Sequence, residues 1–205
     1  NIEVVKKLHK LVYGFKVGYR SFYNKDVDKL IAEIKRKKSK LFLDLKLHDI
    51  PNTVSSAIDS LKNINPDFLT LHISGGEEML KSALKNIKKF NLKTKILGVT
   101  LLTSLNGKDS KKIYGERNTD KLVRKLALIA STAKIAGIIC SGQDLKSLQS
   151  YKKLLKITPG VKLSDRKDDQ KRVSFVHDAL NNGADFVVIG RELINSKDPI
   201  KLLNE

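Results

Sequence analysis

The sequence predicts an α/β fold with a parallel sheet. Stretches with helical patterns alternate with short apolar, β-branched runs along the whole chain, and this alternation is typical of parallel βαβ units. Glycines follow many of the apolar runs, as at Gly18, Gly75–Gly76 and Gly190. Polar residues therefore gather at the carboxyl ends of the predicted strands, where parallel barrels place their active sites.

The predicted elements follow from these two patterns. Helices are expected where apolar residues recur among charged ones, at Ile2–Tyr13, Val27–Lys37, Pro51–Lys62, Glu77–Lys89, Thr119–Lys134, Gln143–Tyr151 and Asp169–Asn182. Strands are expected in the intervening apolar runs, at Gly14–Val17, Lys40–Leu45, Phe68–His72, Lys95–Leu101, Gly137–Ser141, Leu155–Thr158 and Phe186–Ile189. The polar stretches Ser104–Asn118 and Lys162–Asp168 are expected to be loops, and the second is a candidate lid.

About seven strands leave two architectures open. One is an open, doubly wound sheet. The other is a barrel that lacks one strand. Because the chain begins directly in a helical pattern, the missing strand of such a barrel would precede Asn1.

The composition predicts one domain spanning residues 1–205, in which 40% hydrophobic residues are enough for a large core. The single cysteine, Cys140, excludes an intrachain disulfide, in keeping with an expected cytoplasmic location. We predict that Cys140 is a small buried side chain. No signal peptide is predicted, and runs such as Ile135–Cys140 are too short to span a bilayer.

The formal charge of +18 raises the possibility of a nucleic-acid-binding domain. Against it, the lysines are scattered over several helices, only 6% of residues are aromatic, and tryptophan is absent. Few platforms for base stacking are therefore available. We expect a small anionic substrate, with neither a nucleic acid nor a membrane as partner.

The densest site signal is the segment Phe42–Thr53. Asp44 and Lys46 are two residues apart on a predicted strand and so point to the same face. In a barrel that face is the interior near its open end. Burying unlike charges there costs free energy unless they pair with each other or serve a function. A structural ion pair is the simpler interpretation.

A second charge favours a functional site. Lys16 ends the preceding predicted strand, and Asp49 lies in the loop after Lys46. We therefore predict that Lys16, Asp44, Lys46 and Asp49 form an alternating array of charges in one mouth. Such arrays are typical of sites built to stabilise developing charge.

Six segments in order resemble the orotidine 5′-phosphate decarboxylase family. The string FLDLKLHDIPNT at Phe42–Thr53 is similar to its signature almost letter for letter. The others are Phe15–Gly18, Leu71–Gly76, Gly98–Ser104, Thr158–Val161 with Asp169–Val173, and Val188–Arg191. The resemblance implies a (β/α)8 TIM barrel, whose first strand is then the one absent from this sequence, and decarboxylation of orotidine 5′-phosphate to uridine 5′-phosphate in pyrimidine (UMP) biosynthesis.

The resemblance also implies roles for the charged residues. Lys46 would protonate C6 of the pyrimidine as carbon dioxide leaves. Asp44 would lie near the substrate carboxylate, and Lys16 would bind the ribose and hold Asp44. Asp49 would act in the active site of the other subunit of a homodimer.

Further residues would bind the substrate. Those implied are Ile50, Thr53, Thr103, Lys162, Gln170, Gly190 and Arg191. Thr53 would reach across the dimer as Asp49 does, and Thr103 would face the pyrimidine. Gln170, Gly190 and Arg191 would hold the 5′-phosphate, for which the planar guanidinium of Arg191 is suited. No metal or cofactor is expected.

Two departures from the family pattern stand out. The first strand of the family, which ends in A-L-D with a substrate-contacting aspartate, has no counterpart in the sequence. In addition, Lys162 stands where the family has an arginine. Lysine keeps the positive charge but cannot donate the bidentate hydrogen bonds of a guanidinium group.

The nearest rival enzymes are magnesium-dependent, namely 3-keto-gulonate-6-phosphate decarboxylase and hexulose-phosphate synthase. They resemble the D-x-K-x-x-D core around Asp44. The segment Ile50–Thr53 and the D-Q-x-R-V segment at Asp169–Val173 speak against them.

Overall fold

The fold is built on seven parallel strands in one curved sheet. A computed structural model describes residues 1–163 and 174–204. The sheet has the order β1-β2-β3-β4-β5-β6-β9, and every pair is parallel. Its strands are β1 Gly14–Gly18, β2 Lys40–Leu47, β3 Phe68–His72, β4 Lys95–Val99, β5 Gly137–Ile139, β6 Leu155–Pro159 and β9 Phe186–Val188. A separate pair is formed by β7 Val161–Lys162 and β8 Ser174–Phe175.

Helices connect the strands. They are α1 Ile2–Leu8, α2 Tyr19–Phe22, α3 Val27–Arg36, α4 Pro51–Ser60, α5 Glu77–Lys89, α6 Gly107–Tyr114, α7 Thr119–Ala133, α8 Val176–Asn181, α9 Arg191–Ile194 and α10 Pro199–Asn204. Short 3₁₀ turns occupy Ile73–Gly75 and Leu145–Leu148. In the described part of the chain, no helix is both long and apolar enough to cross a membrane.

The strands are covered on both faces. Between sheet and helices lies the main core, which includes Leu43, Leu71 and Val123. A second cluster around Phe68, Leu97 and Ile157 fills the concave side of the sheet. Burial on both faces explains why the strands read as continuous apolar runs rather than as alternating ones.

The two edge strands of the sheet, β1 and β9, face one another across a groove. The groove has a volume of about 300 Å³ and is lined by residues of both strands and of α1. The ring of Tyr13, just before β1, lies 4.9 Å from that of Phe186 on β9, centroid to centroid. The sheet is thus a nearly closed barrel, so the barrel prediction is confirmed and the open doubly wound sheet is wrong. One more strand between β1 and β9 would close it.

Two predicted helices are wrong in extent. The helix expected over Ile2–Tyr13 ends at Leu8, because residues 9–13 turn the chain into β1 and place Tyr13 in the groove. The helix expected over Gln143–Tyr151 is only the turn Leu145–Leu148. There, the Asp144 carboxylate accepts hydrogen bonds from the Ser141 backbone N–H and hydroxyl, which tightens a turn instead of opening a helix.

The loop expected over Ser104–Asn118 contains α6. Asn106 and Asp109 form a reciprocal capping box at its start, and Gly115 ends it in a left-handed conformation with φ of 73°. Both signals are local and readable in the sequence. Of the expected lid, Lys162 lies in β7, whereas residues 164–168 fall outside the described residues, as does the start of the helix expected at Asp169–Asn182; that helix is observed from Val176.

Candidate functional site

The site is organised by an irregularity in β2. Leu43 pairs with Leu69 and Leu47 with Leu71, so four steps along β2 match two along β3. The extra residues form a bulge, a feature that redirects side chains. Within it, Lys46 has φ of 44°, a left-handed conformation that costs a non-glycine residue about 1–3 kcal/mol unless its surroundings hold it.

Thr70 on β3 holds the bulge from one side. Its hydroxyl accepts a hydrogen bond from the backbone N–H of Lys46 at 2.8 Å and donates one to Oδ1 of Asp44 at 3.0 Å. Thr70 is fully buried. It was missed by the sequence analysis, although a threonine within the apolar run Phe68–His72 was a usable signal.

Asp44 lies between two lysines. Its Oδ2 is 2.9 Å from Nζ of Lys16, and its Oδ1 is 2.8 Å from Nζ of Lys46. The side chain of Asp44 is 12% exposed, against 32% for Lys16 and 26% for Lys46. The lysines can therefore reach a ligand while the carboxylate between them is largely shielded from water.

The charge state of Asp44 follows from these contacts. Burial by itself raises the pKa of the carboxyl, but the attraction of Lys16, the hydrogen bonds from Lys46 and Lys16 and the attraction of Lys46 outweigh it and hold the pKa below its ordinary value. Asp44 is consequently ionised at neutral pH. The neighbouring His72 has a lowered pKa because it is buried and lies near His48 and Lys46, so it is neutral there.

A cavity of about 200 Å³ inside the barrel is lined by Lys16, Asp44 and Lys46. Thr103 lines the same cavity, together with residues that follow β4 and β5 and with Pro159 at the end of β6. The cavity lies toward the carboxyl ends of the strands: Lys16 and Asp44 come two and three residues before the ends of β1 and β2, and Thr103 follows β4. The cavity thus combines an apolar wall with a few converging polar groups, as ligand sites do.

Asp49 does not join this array within one chain. Its carboxylate accepts a hydrogen bond from the Ile50 backbone N–H at 2.7 Å, and no ion pair of Asp49 is seen among the described residues. Ile50 is 66% exposed, and Thr53 is exposed in the first turn of α4. The predicted array of four charges is therefore an array of three, because β2 ends at Leu47 and the chain turns outward into α4.

The residues expected at the phosphate lie near the other end of the sheet. Exposed Gly190 precedes α9, and Arg191 is its first residue. Oε2 of Glu192 accepts a hydrogen bond from the Leu163 backbone N–H at 3.0 Å. This contact ties the segment after Lys162 to the start of α9. Gln170 lies outside the described residues.

Metal-binding groups were sought over residues 1–163 and 174–204. No three His, Cys, Asp or Glu side chains are grouped there so as to hold a metal ion. His48 and His72 lie close together, with ring centroids 5.1 Å apart, but no third such ligand joins them.

Cys140 is fully buried at the end of β5, as predicted. Burial raises the pKa of its thiol to about 12. Because the thiolate is the reactive form, we expect an aromatic disulfide reagent at pH 8 to label native protein very slowly. In denaturant the single thiol should react completely within minutes. The labelling is monitored by absorbance. Rapid labelling of the native protein would show that Cys140 is accessible.

Fold and site together place the chain among the (β/α)-barrel proteins with a charged pocket at the carboxyl ends of the strands. The chain belongs to the Orotidine 5'-phosphate decarboxylase / HUMPS family, whose family model matches residues 1–205. The family suggested by the motifs is thereby confirmed.

Individual relatives agree with this assignment. The chain is 42% identical over 166 residues to an orotidine 5'-phosphate decarboxylase of Ehrlichia canis, an alignment covering 80% of this chain and 72% of the relative. It is 36% identical over 211 residues to the Dictyoglomus thermophilum enzyme of the same name, with 98% and 86% covered. Among solved structures, the orotidine 5'-phosphate decarboxylase of Lactobacillus acidophilus superposes with a TM-score of 0.78 at 30% identity, covering 98% of this chain and 90% of that one.

Proposed function

We propose that this protein decarboxylates orotidine 5′-phosphate to uridine 5′-phosphate, a step of pyrimidine biosynthesis. The observation that supports it best is the buried carboxylate of Asp44 between the ammonium groups of Lys16 and Lys46, which lie 2.9 and 2.8 Å away inside the barrel cavity. Family membership and the names of the relatives support the same reaction.

Lys46 is the proposed acid. When the bond from C6 to the carboxylate breaks, its electron pair stays on C6 and carbon dioxide departs. A fixed ammonium beside C6 stabilises this charge and then donates a proton to it. Asp44 keeps Lys46 in place and, lying near the substrate carboxylate, disfavours the ground state by repulsion. These roles require no redox change.

The other proposed substrate contacts are assigned from where the residues lie in the barrel. Lys16 faces the same cavity and is the proposed ribose ligand, and Thr103 is the proposed contact to the pyrimidine. Gly190 and Arg191, with Lys162 and Gln170, are the proposed phosphate ligands. The ends of the last strands are where barrels of this architecture usually bind phosphate. Binding energy from the phosphate can then organise the reacting end of the substrate.

A homodimer is proposed from the surface next to the site. Ile50 is 66% exposed, and Asp49 and Thr53 beside it are exposed as well. They extend away from their own cavity, so we propose that they complete the cavity of a second copy. Sedimentation should show a dimer, and a fully active monomer would contradict this. We propose a cytoplasmic catalytic domain of residues 1–205 that works without a metal or cofactor.

The direct test is the loss of orotidine 5′-phosphate absorbance on adding the protein, with and without a chelator. We expect conversion to uridine 5′-phosphate that is insensitive to the chelator. No conversion, together with a chelator-sensitive reaction on 3-keto-gulonate 6-phosphate or hexulose phosphate, would overturn the proposal in favour of a magnesium-dependent relative.

A further inference from the structure

We propose that Tyr19 is a positioning residue for Lys46, holding the bulge of β2 in the conformation that directs the ammonium group into the site. This inference rests on the proposed function for its kinetic consequences. Its structural consequence is independent of any reaction.

The hydroxyl of Tyr19 secures the backbone next to Lys46. It donates a hydrogen bond of 2.7 Å to the carbonyl oxygen of Leu45. Backbone pairing of β1 with β2 ends at Gly18 and Asp44, so β1 offers no further backbone partner at this point. The phenol of Tyr19, the first residue of α2, takes that place.

Lys46 is therefore held from two sides. Thr70 on β3 binds its backbone N–H at 2.8 Å, and Tyr19 binds the carbonyl of the residue before it. Both hydrogen bonds fix the peptide unit between Leu45 and Lys46, directly before the left-handed φ of 44° at Lys46. A strained backbone persists only when its surroundings determine it, and these two side chains supply that constraint.

The ring of Tyr19 also faces the ammonium group. Nζ of Lys46 lies 5.8 Å from the ring centroid, within the range of a cation–π contact. Burial, together with the nearby charge of Asp44, raises the pKa of Tyr19. The phenol thus stays protonated and remains a donor to Leu45 over the whole neutral range.

Loss of this support should affect the chemical step more than binding. The contacts that Tyr19 makes in the described part of the chain are with Leu45, Lys46 and Tyr23, whereas the proposed phosphate ligands Gly190 and Arg191 lie at the start of α9. A shift of about 1 Å in a reacting group is enough to slow catalysis strongly without weakening remote binding. The effect is therefore expected in kcat.

The test uses Tyr19→Phe, which keeps the ring, and Tyr19→Leu, which removes ring and hydroxyl. We expect kcat to fall about 10-fold in the first variant, the equivalent of about 1.4 kcal/mol, and further in the second. KM and the dissociation constant for uridine 5′-phosphate should change less than about twofold, since remote contacts are intact. Tyr23→Phe is the matched control: its ring stacks on Tyr19 at 6.1 Å and the residue is 79% exposed.

Crystal structures of Tyr19→Phe and Tyr23→Phe separate this inference from the proposed function. In Tyr19→Phe we expect Lys46 to leave its left-handed conformation or to lose its 2.8 Å contact with Asp44; in Tyr23→Phe both should persist. An unmoved Lys46 with unchanged kcat overturns the inference. If the parent protein does not convert orotidine 5′-phosphate, the proposed function fails, and the position of Lys46 in the two structures still decides the role of Tyr19.

Discussion

Lys46→Ala is expected to remove nearly all decarboxylation while leaving the fold intact. The substitution deletes both the proposed proton donor and the positive charge beside C6. General acid catalysis contributes about 10²–10⁴-fold and a fixed electrostatic partner about 10²–10³-fold, so kcat/KM should fall by about 10⁴-fold or more. The measurement is the absorbance assay with orotidine 5′-phosphate at saturating and limiting concentrations.

The fold should tolerate this change because Asp44 keeps two partners. Oδ2 remains paired with Lys16 at 2.9 Å, and Oδ1 still accepts from Thr70 at 3.0 Å. Alanine at position 46 meets the same left-handed backbone that lysine already occupies, so no new backbone strain is added. Thermal unfolding should change by only a few degrees, since a small loss of stability moves the midpoint by that amount.

Lys40→Ala is the matched control on the same strand. Lys40 forms an ion pair of 2.7 Å with Asp67 at the opposite, amino end of β2, and its side chain is 47% exposed. Removing it deletes an equal charge from the same strand, and activity should stay within about twofold because exposed pairs contribute little. Turnover by Lys46→Ala within about 100-fold of the parent would contradict the proposed proton transfer, whose usual contribution is larger.

Asp44→Asn is expected to cause the second large loss, with kcat/KM lower by about 10³-fold, the scale of one preorganised electrostatic contact. Without the carboxylate, the ammonium groups of Lys16 and Lys46 face each other with no negative charge between them. The two lysines are partly exposed, at 32% and 26%, so they can separate toward water. Lys46 then no longer occupies one defined position.

The same substitution should have a pH-dependent effect on stability. A carboxyl whose folded pKa is lowered stabilises the fold above its unfolded pKa of about 3.9 and loses that contribution as the pH falls through the folded value. Because the pKa of Asp44 is lowered, Asp44→Asn should reduce the free energy of unfolding by about 1–3 kcal/mol at pH 7, and by clearly less near pH 3. Denaturant titrations at the two pH values measure this.

Asp59→Asn is the control for that experiment. Asp59 pairs with Lys62 on the surface at 3.0 Å, and both side chains are about half exposed, at 48% and 49%. Its loss should change the free energy of unfolding by less than about 0.5 kcal/mol at either pH. An Asp44→Asn penalty that is as large at pH 3 as at pH 7 would mean that shape rather than charge makes Asp44 important.

Much of the site was predictable because it depends on local periodicity. Residues two apart on a strand share a face, so Asp44 and Lys46 were expected together, and the carboxyl ends of parallel strands converge, so Lys16 was expected beside them. Both contacts of Asp44, with Lys16 and with Lys46, are observed. Local periodicity also explains why two predicted elements have the observed bounds, the strand Phe68–His72 and the helix Glu77–Lys89. Both segments have strong and uninterrupted patterns.

The helix α6 was missed although its signals are present in the sequence, because those signals are local and short. The capping box at Asn106 and Asp109 and the terminal Gly115 define α6 within three turns of chain, yet the polar composition of the segment suggested a loop. Composition reflects exposure, whereas capping reflects backbone hydrogen bonding. The second is the better guide to a short exposed helix.

The sequence by itself determined the alternation of strands and helices and the charged residues toward the ends of the strands. Only the tertiary structure decided that the sheet curves until β1 and β9 share a groove, that β2 bulges opposite Thr70, and that Tyr19 binds the carbonyl of Leu45. The physical reason is the range of the interactions. Periodicity and capping act within a few residues, whereas curvature and register depend on contacts between segments more than twenty residues apart, and no local pattern encodes which of those contacts form.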